Sequence, residues 1–294
     1  MSAKSPEDVR MTFGEHIEEL RRRILASIYA FAALFFVTFF FHEFVRNLAY
    51  RPYEQAVSSV QEKIDVKHAE DPIVFRPAVA FGFTGPMPVL IPVVPKRQTI
   101  DPRPTVLSPQ EGIFQDIKLS SIVALLACAP FLLYQLWAFV RAGLYENERR
   151  AIGPYLPLTI GLFVAGAAFG YFVMLPMILN ALIDWNSPER VNIQNRLEYY
   201  LSLFYTFTFT LGLIFEIPVV MMMLTRVGIV TAKAYMKGWR WAVLGGVVVG
   251  AVVNPAPSIE TQLVFAAPIV GLYFLGIGLA YLAERGRAKI VAAS

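Results

Sequence analysis

Hydrophobic residues in this chain come in long unbroken runs, not in the alternating or half-face patterns of a soluble fold. Ile24 to Phe41 gives 18 residues without a charge, Leu119 to Val140 gives 22, and Ala151 to Ile183 gives 33. Tyr199 to Thr225 is 27 residues with one charge, Glu216; Trp241 to Ile259 adds 19 and Thr261 to Ala283 adds 23. A helical run of about 18 or more apolar residues can cross about 30 Å of hydrocarbon. Any single run also suits a buried core helix, but six of them leave too little polar sequence to cover such a core. The pattern predicts an all-α integral membrane protein, one polytopic domain over residues 1–294. Its six transmembrane helices are expected at about 24–41, 114–140, 154–181, 199–225, 239–253 and 260–282. The first run does not read as a cleaved signal peptide. A charged segment precedes it, and no small-x-small site follows before Phe39-Phe40-Phe41-His42.

Polar patterning fills in the rest. Thr12-Phe13-Gly14-Glu15 fits a capping box, and Phe13, Ile17, Leu20 and Ile24 then share one helical face. An amphipathic helix is expected to run straight into the first span. Residues 42–107 form a long connecting segment, with an insertion at about 55–105. Pro77, Pro86, Pro88, Pro92, Pro95, Pro102 and Pro104 among β-branched residues suit extended strands or polyproline there, with no periodic helix. Ser108-Pro109-Gln110-Glu111 reads as the start of the next helix. Pro130, Pro157, Pro176, Pro218 and Pro268 fall inside expected spans and predict kinks. The last two spans look short, since Trp241 to Val253 gives only 13 residues before Asn254-Pro255.

Composition agrees: the 294 residues are 56% hydrophobic and 16% charged, against roughly 25% charged in a soluble domain. The net charge of +4 matters through its distribution. With the N-terminal segment taken as one side, that side holds 15 of the basic residues. The other holds 11, nine of them within His42 to Lys118, a segment too long to set orientation. Between the third and fourth spans lie only Arg190 and Arg196, and between the fifth and sixth none. Both termini are therefore expected in the cytoplasm and residues 42–107 outside. The single cysteine, Cys128, excludes an intrachain disulfide.

Enzymatic signals are nearly absent. The chain has no phosphate-binding loop motif, no nucleophile elbow and no HExxH, and His16, His42 and His68 lack metal-ligand spacing. No cofactor or metal is expected, and no catalytic residue. The one ionisable residue deep in a span is Glu216, about midway across, where a carboxylate costs about 2.5 kcal/mol or more and is a functional candidate by default. Gln135 is a possible polar partner for it, or ordinary interhelix glue. Glu15, Glu18 and Glu19 precede the first span, and Glu146 and Glu148 lie in the next loop on the same side. Glu18 with Arg22 and Glu19 with Arg23 have the i, i+4 spacing of intrahelical pairs.

Several stretches, in order, resemble one family. Phe13-x-x-His16-Ile17-x-Glu19-Leu20-Arg21-x-Arg23-Ile24 is similar to the N-terminal signature of the TatC family, the large multispanning subunit of the twin-arginine protein translocase. The likeness continues through Ser108-Pro109-x-Glu111-x-x-Phe114 and Pro130-x-x-x-Tyr134-Gln135-Leu136-Trp137-Ala138-Phe139. It extends over Gly143-Leu144-Tyr145-x-x-Glu148-Arg149, Phe215-Glu216-Ile217-Pro218-Val219 and Asn254-Pro255 to Gln262. Three features depart from the family pattern: the long first external loop, the missing Asp in Asn254-Pro255-Ala256-Pro257-Ser258, and the missing Pro before Gly143.

The resemblance implies a receptor in the bacterial inner membrane that binds Arg-Arg signal peptides and organises proton-motive-force-driven export of folded proteins. It implies that Glu19, Glu148, Arg21 and Phe139 form the signal-peptide site, two carboxylates meeting two guanidinium forks. It implies docking of single-span TatA- or TatB-type subunits near Glu216 and Gln135, oligomers of the chain itself, contact with lipid, and no nucleic acid. The alternative is a proton- or ion-coupled secondary transporter using Glu216, which calls for inverted repeats and a midplane solute site. The sequence shows no such repeat.

Overall fold

The computed structural model describes residues 13–69, 74–82, 85–93, 104–106, 108–143, 155–185, 196–253 and 259–291. Its elements in chain order are α1 (Phe13–Phe40), α2 (His42–Ala69), β1 (Val74–Gly82), β2 (Gly85–Val93), α3 (Pro109–Ala142) and α4 (Tyr155–Phe169). After a π-helical turn at Gly170–Met174 come α5 (Leu175–Trp185), α6 (Leu197–Ile214), α7 (Ile217–Val227), α8 (Ala232–Val253) and α9 (Ile259–Val291). By length and composition, five helical stretches among the described residues can cross a membrane: Gly14–Phe40, Gln110–Ala142, Tyr155–Ile183, Leu197–Val227 and Thr261–Arg285. The sixth expected span falls on α8. That helix has 22 residues, but Lys233, Lys237 and Arg240 occupy its first half and leave a short apolar remainder.

The expected amphipathic start is continuous with the first span in α1, though the Thr12 cap lies outside the described residues. The cap of α3 forms as its sequence suggests: the Ser108 hydroxyl accepts from the Glu111 amide, with Pro109 in the first turn. The helices pack in a row, α1 on α3, α3 on α4, α4 on α6 and α7, α7 on α9, and α9 on α8. Small residues set the tightest crossings. A Cβ at Gly166 would stand 2.6 Å from the Leu211 carbonyl oxygen, and one at Gly170 2.8 Å from that of Phe207, so α4 and α6 meet backbone to backbone. Gly276 of α9 likewise receives Met221 and Pro218 of α7.

Two expectations need correction. Residues 42–107 are not free of periodic helix, since α2 runs for 28 residues. Val45, Ala49, Tyr53, Ala56, Val57, Val60 and Ile64 recur at three- and four-residue spacings, and all are buried against Leu119, Leu175, Ile178, Leu179, Tyr200 and Leu201. The prolines that suggested extended chain lie beyond it, and there two strands do form, paired antiparallel. Pro52 sits inside α2 and deprives the Leu48 carbonyl of its helical donor. The Tyr171 hydroxyl donates to that carbonyl instead, at 2.6 Å. The last helix is not short either. Its membrane-length stretch is 25 residues, and helical geometry continues through Arg285 and beyond because nothing after Pro268 interrupts the backbone ladder.

The prolines differ in effect. Pro130 and Pro268 lie within continuous helices, Pro157 lies in the first turn of α4, and Pro176 follows the π-helical turn. Only Pro218 adjoins an interruption, at Phe215–Glu216 between α6 and α7. At the end of α7, Gly228 takes φ 87°, a left-handed cap that lets its amide bond back to Leu224 and Thr225.

Candidate functional site

α1 and α3 pack along their length, which brings the start of one to the end of the other. At that junction Glu19 forms an ion pair with Arg23, one turn on, and both side chains are largely covered. The Arg23 guanidinium also donates to Gln135 Oε1 of α3, at 3.0 Å. The carboxylate is thus oriented by a cation that is itself anchored on the facing helix. One turn before Glu19, His16 stacks on Phe139 with centroids 4.5 Å apart. Gly143 lies against the same imidazole, where a Cβ would approach Cε1 to 3.2 Å. Two buried nitrogens here, His16 Nδ1 and Arg23 Nε, have no hydrogen-bond partner among the described residues.

The other residues expected at this site fall differently. Arg21 is exposed and only loosely paired, 3.7 Å from Glu18. Glu148 lies outside the described residues, five positions past Gly143. Gln135 bridges α1 and α3, its carbonyl accepting from Arg23. His16 was read in the sequence only as part of a motif. Its stacking on Phe139 depends on which helix lies beside α1, and no spacing within α1 carries that information.

The second candidate is Glu216. The ladder between α6 and α7 breaks here: the Phe215 amide bonds Leu211, the Glu216 amide bonds Leu213, and the Glu216 carbonyl takes both Val219 and Val220. Pro218 has no amide for the Ile214 carbonyl, which accounts for the gap. Gly166 of α4 presses on Leu211 and Phe215, and Gly276 of α9 on Pro218, so the break is clamped from two sides. Glu216 Oε1 is buried there with no hydrogen-bond partner among the described residues. An unpaired buried carboxylate oxygen is costly, and such positions call for a partner. Among the described residues no group of His, Cys, Asp and Glu is arranged to hold a metal ion.

Residues 15–268 match the sequence model of the family described as Sec-independent protein translocase protein (TatC). A protein so described from Koribacter versatilis is 31% identical over 92% of this chain and 86% of its own length. One from Aquifex aeolicus is 28% identical over 95% of this chain and 99% of its own. The chloroplastic TATC of Arabidopsis thaliana is 32% identical over 95% and 69% respectively. Among solved structures, the twin arginine translocase receptor TatC in DDM superposes with a TM-score of 0.67 at 27% identity. That match covers 90% of this chain and 99% of the other.

Proposed function

This chain belongs to the TatC family of Sec-independent protein translocase proteins, and from that premise we propose that it is the signal-peptide receptor of its translocase. As a translocase component it belongs to no known family of catalysts. The reading places it in the bacterial inner membrane with both termini cytoplasmic, where it binds Arg-Arg signal peptides and organises export driven by the proton-motive force. The receptor site is the junction of α1 and α3, with Glu19 and Glu148 as acceptors and Arg21 and Phe139 beside them. Single-span TatA- or TatB-type subunits dock at Glu216.

One observation carries the reading: the Glu19 carboxylate is already held by a guanidinium that is fixed on the other helix. That geometry accepts arginine, because a carboxylate oriented for one guanidinium fork suits another. Binding is then an exchange in which an incoming guanidinium displaces or shares with Arg23, and its net strength is a difference. A lysine pair, offering point charges, exchanges poorly.

The test is binding of an Arg-Arg signal peptide, against its Lys-Lys counterpart, to the full chain in detergent or nanodiscs. Glu19→Ala and Glu148→Ala each weaken the Arg-Arg peptide by about 10- to 150-fold, the loss of a charged hydrogen bond of about 1.5–3 kcal/mol. Helix content stays unchanged. Wild-type affinity in both variants leaves Glu19 as a helix-pairing residue and refutes the site. In intact cells and sealed inverted vesicles, an impermeant thiol reagent reads the side on which Asn47→Cys of α2 is exposed, outside on this topology.

A further inference from the structure

Residues 55–105 lie outside every family motif, and the hairpin within them has an asymmetric backbone. Its register pairs Gly82 with Gly85 across two intervening residues, the spacing of a two-residue hairpin loop whose closing pair exchanges both hydrogen bonds. Pairs then alternate. Ala80↔Met87, Ala78↔Val89 and Arg76↔Ile91 fall in the hydrogen-bonded class. Phe81↔Pro86, Val79↔Pro88, Pro77↔Leu90 and Phe75↔Pro92 fall in the other, with amides facing outward. All four prolines belong to this second class, so none removes a bond from the hairpin itself.

The two edges differ as a result. On β2 the outward positions are 86, 88, 90 and 92, and only Leu90 retains a donor. On β1 they are 75, 77, 79 and 81, and only Pro77 lacks one. An edge that keeps its amides can pair with a further strand, while an edge without them is blocked. The β1 edge has no partner strand among the described residues, and charge does not guard it, for Arg76 is the single charge in the two strands.

We propose that the β1 edge docks β1 of a second copy of this chain, giving a four-stranded sheet in the order β2–β1–β1–β2. Antiparallel β1–β1 pairing is isologous, the arrangement of a two-fold dimer. Both outer edges of the product are the proline-blocked edges of β2, so association stops at two copies. Head-to-tail pairing of β1 with β2, which leads to an open chain of copies, is denied by Pro86, Pro88 and Pro92. A strand from a foreign protein on β1 would require no such block on β2. The register follows as well. Centred on Ala78, Phe75 meets Phe81 and Pro77 meets Val79, and each copy loses only the donor that Pro77 lacks. Centring on Pro77 sets the two prolines opposite each other, and centring on Val79 pushes Phe75 past the end of the strand. In the favoured register Ala78 faces its own copy with Cα atoms about 4.5 Å apart, a separation that a disulfide bridges.

The test uses the full chain in membranes carrying Cys128→Ala, which removes the buried native thiol. On oxidation Ala78→Cys yields a disulfide-linked dimer. Val79→Cys, two residues out of register with itself, and Val89→Cys on β2 do not. Adding Val79→Pro or Phe81→Pro deletes an outward amide, spares the hairpin's own ladder, and abolishes the Ala78→Cys dimer. Replacing Pro86, Pro88 and Pro92 together with Thr opens the second edge and produces assemblies larger than two. The proposal is overturned by a monomeric Ala78→Cys, by equal crosslinking at Val89→Cys, by a dimer that survives both proline variants, or by the triple variant remaining dimeric.

Discussion

The two ends of α3 are built on opposite terms. At its start, α2 lies over the helices with a full apolar face, and the charged groups and two tyrosine hydroxyls there find partners, while Gln115 Oε1 and Ser120 Oγ have none among the described residues. Asp116 receives two bonds from Arg46, Arg196 reaches Glu111 at 3.1 Å, and the Tyr171 and Tyr200 hydroxyls close on the Leu48 and Ala49 carbonyls. Burial there pushes the Tyr50 hydroxyl up to about 12, against the pull of Arg46. At the other end of α3, His16 Nδ1 and Arg23 Nε are buried without a hydrogen-bond partner among the described residues. The first end is a joint that holds the helices together. The second retains unspent hydrogen-bonding capacity, which a ligand can use.

That contrast breaks most visibly at Tyr53, which is 1% exposed in the centre of the α2 face. Tyr53→Ala is expected to cost about 3–5 kcal/mol, the range for large aromatic truncations in a core, and to lower the unfolding temperature in detergent markedly. The Glu19→Ala variant in the same assay is expected to shift it less, because an i, i+4 helix pair contributes about 0.3–0.5 kcal/mol and Gln135 still holds the Arg23 guanidinium. Equal losses would erase the distinction between the two ends.

A finer probe is Tyr171→Phe. It keeps the ring and strands the Leu48 carbonyl that Pro52 already deprived of a donor. The expected loss is about 1–2 kcal/mol. The double variant Tyr171→Phe with Pro52→Ala should recover most of it, since an alanine amide restores the helical bond. A loss that persists in the double variant would assign Tyr171 some other role.

The smallest expected effect is that of Glu216→Gln. Glu216→Gln keeps size and hydrogen bonding, so export of a folded reporter and docking of a single-span subunit should stay near wild type. Glu216→Ala should lose much of both. Equal inactivity of Gln and Ala, with docking intact, would instead favour a titrating carboxylate and the transporter alternative.

Much of this was legible beforehand because span length and motif spacing are local properties. The Ser108 cap, the Glu19–Arg23 pair and the irregular backbone before Pro218 all follow from residues within a few positions of one another. α2 is harder to read: Val45, Ala49, Tyr53 and Val60 keep helical spacing, but the segment they open is dominated further on by prolines that favour extended chain. Pro52 costs α2 a helical bond, and only the distant Tyr171 shows how the helix tolerates it. For Gln135 the sequence leaves open a partner role for Glu216 and ordinary interhelix glue, and the α1–α3 packing shows the second, its carbonyl accepting from Arg23.

α1 has one further consequence, which concerns biosynthesis. Its apolar stretch has no buried residue, and it packs almost wholly against α3. α3 begins about 70 residues later in the chain. At a synthesis rate of about 5–20 residues per second, α1 stands without that neighbour for roughly 3 to 14 seconds. It is suited to the wait. Ile28, Phe36, Val37 and Phe40 are exposed side chains that lipid can solvate. The Thr38 hydroxyl bonds the Leu34 and Phe35 carbonyls of its own helix. The newly made α3 then supplies the Ser120 carbonyl as a third partner for that hydroxyl, so the hydroxyl within the span is satisfied before its neighbour arrives.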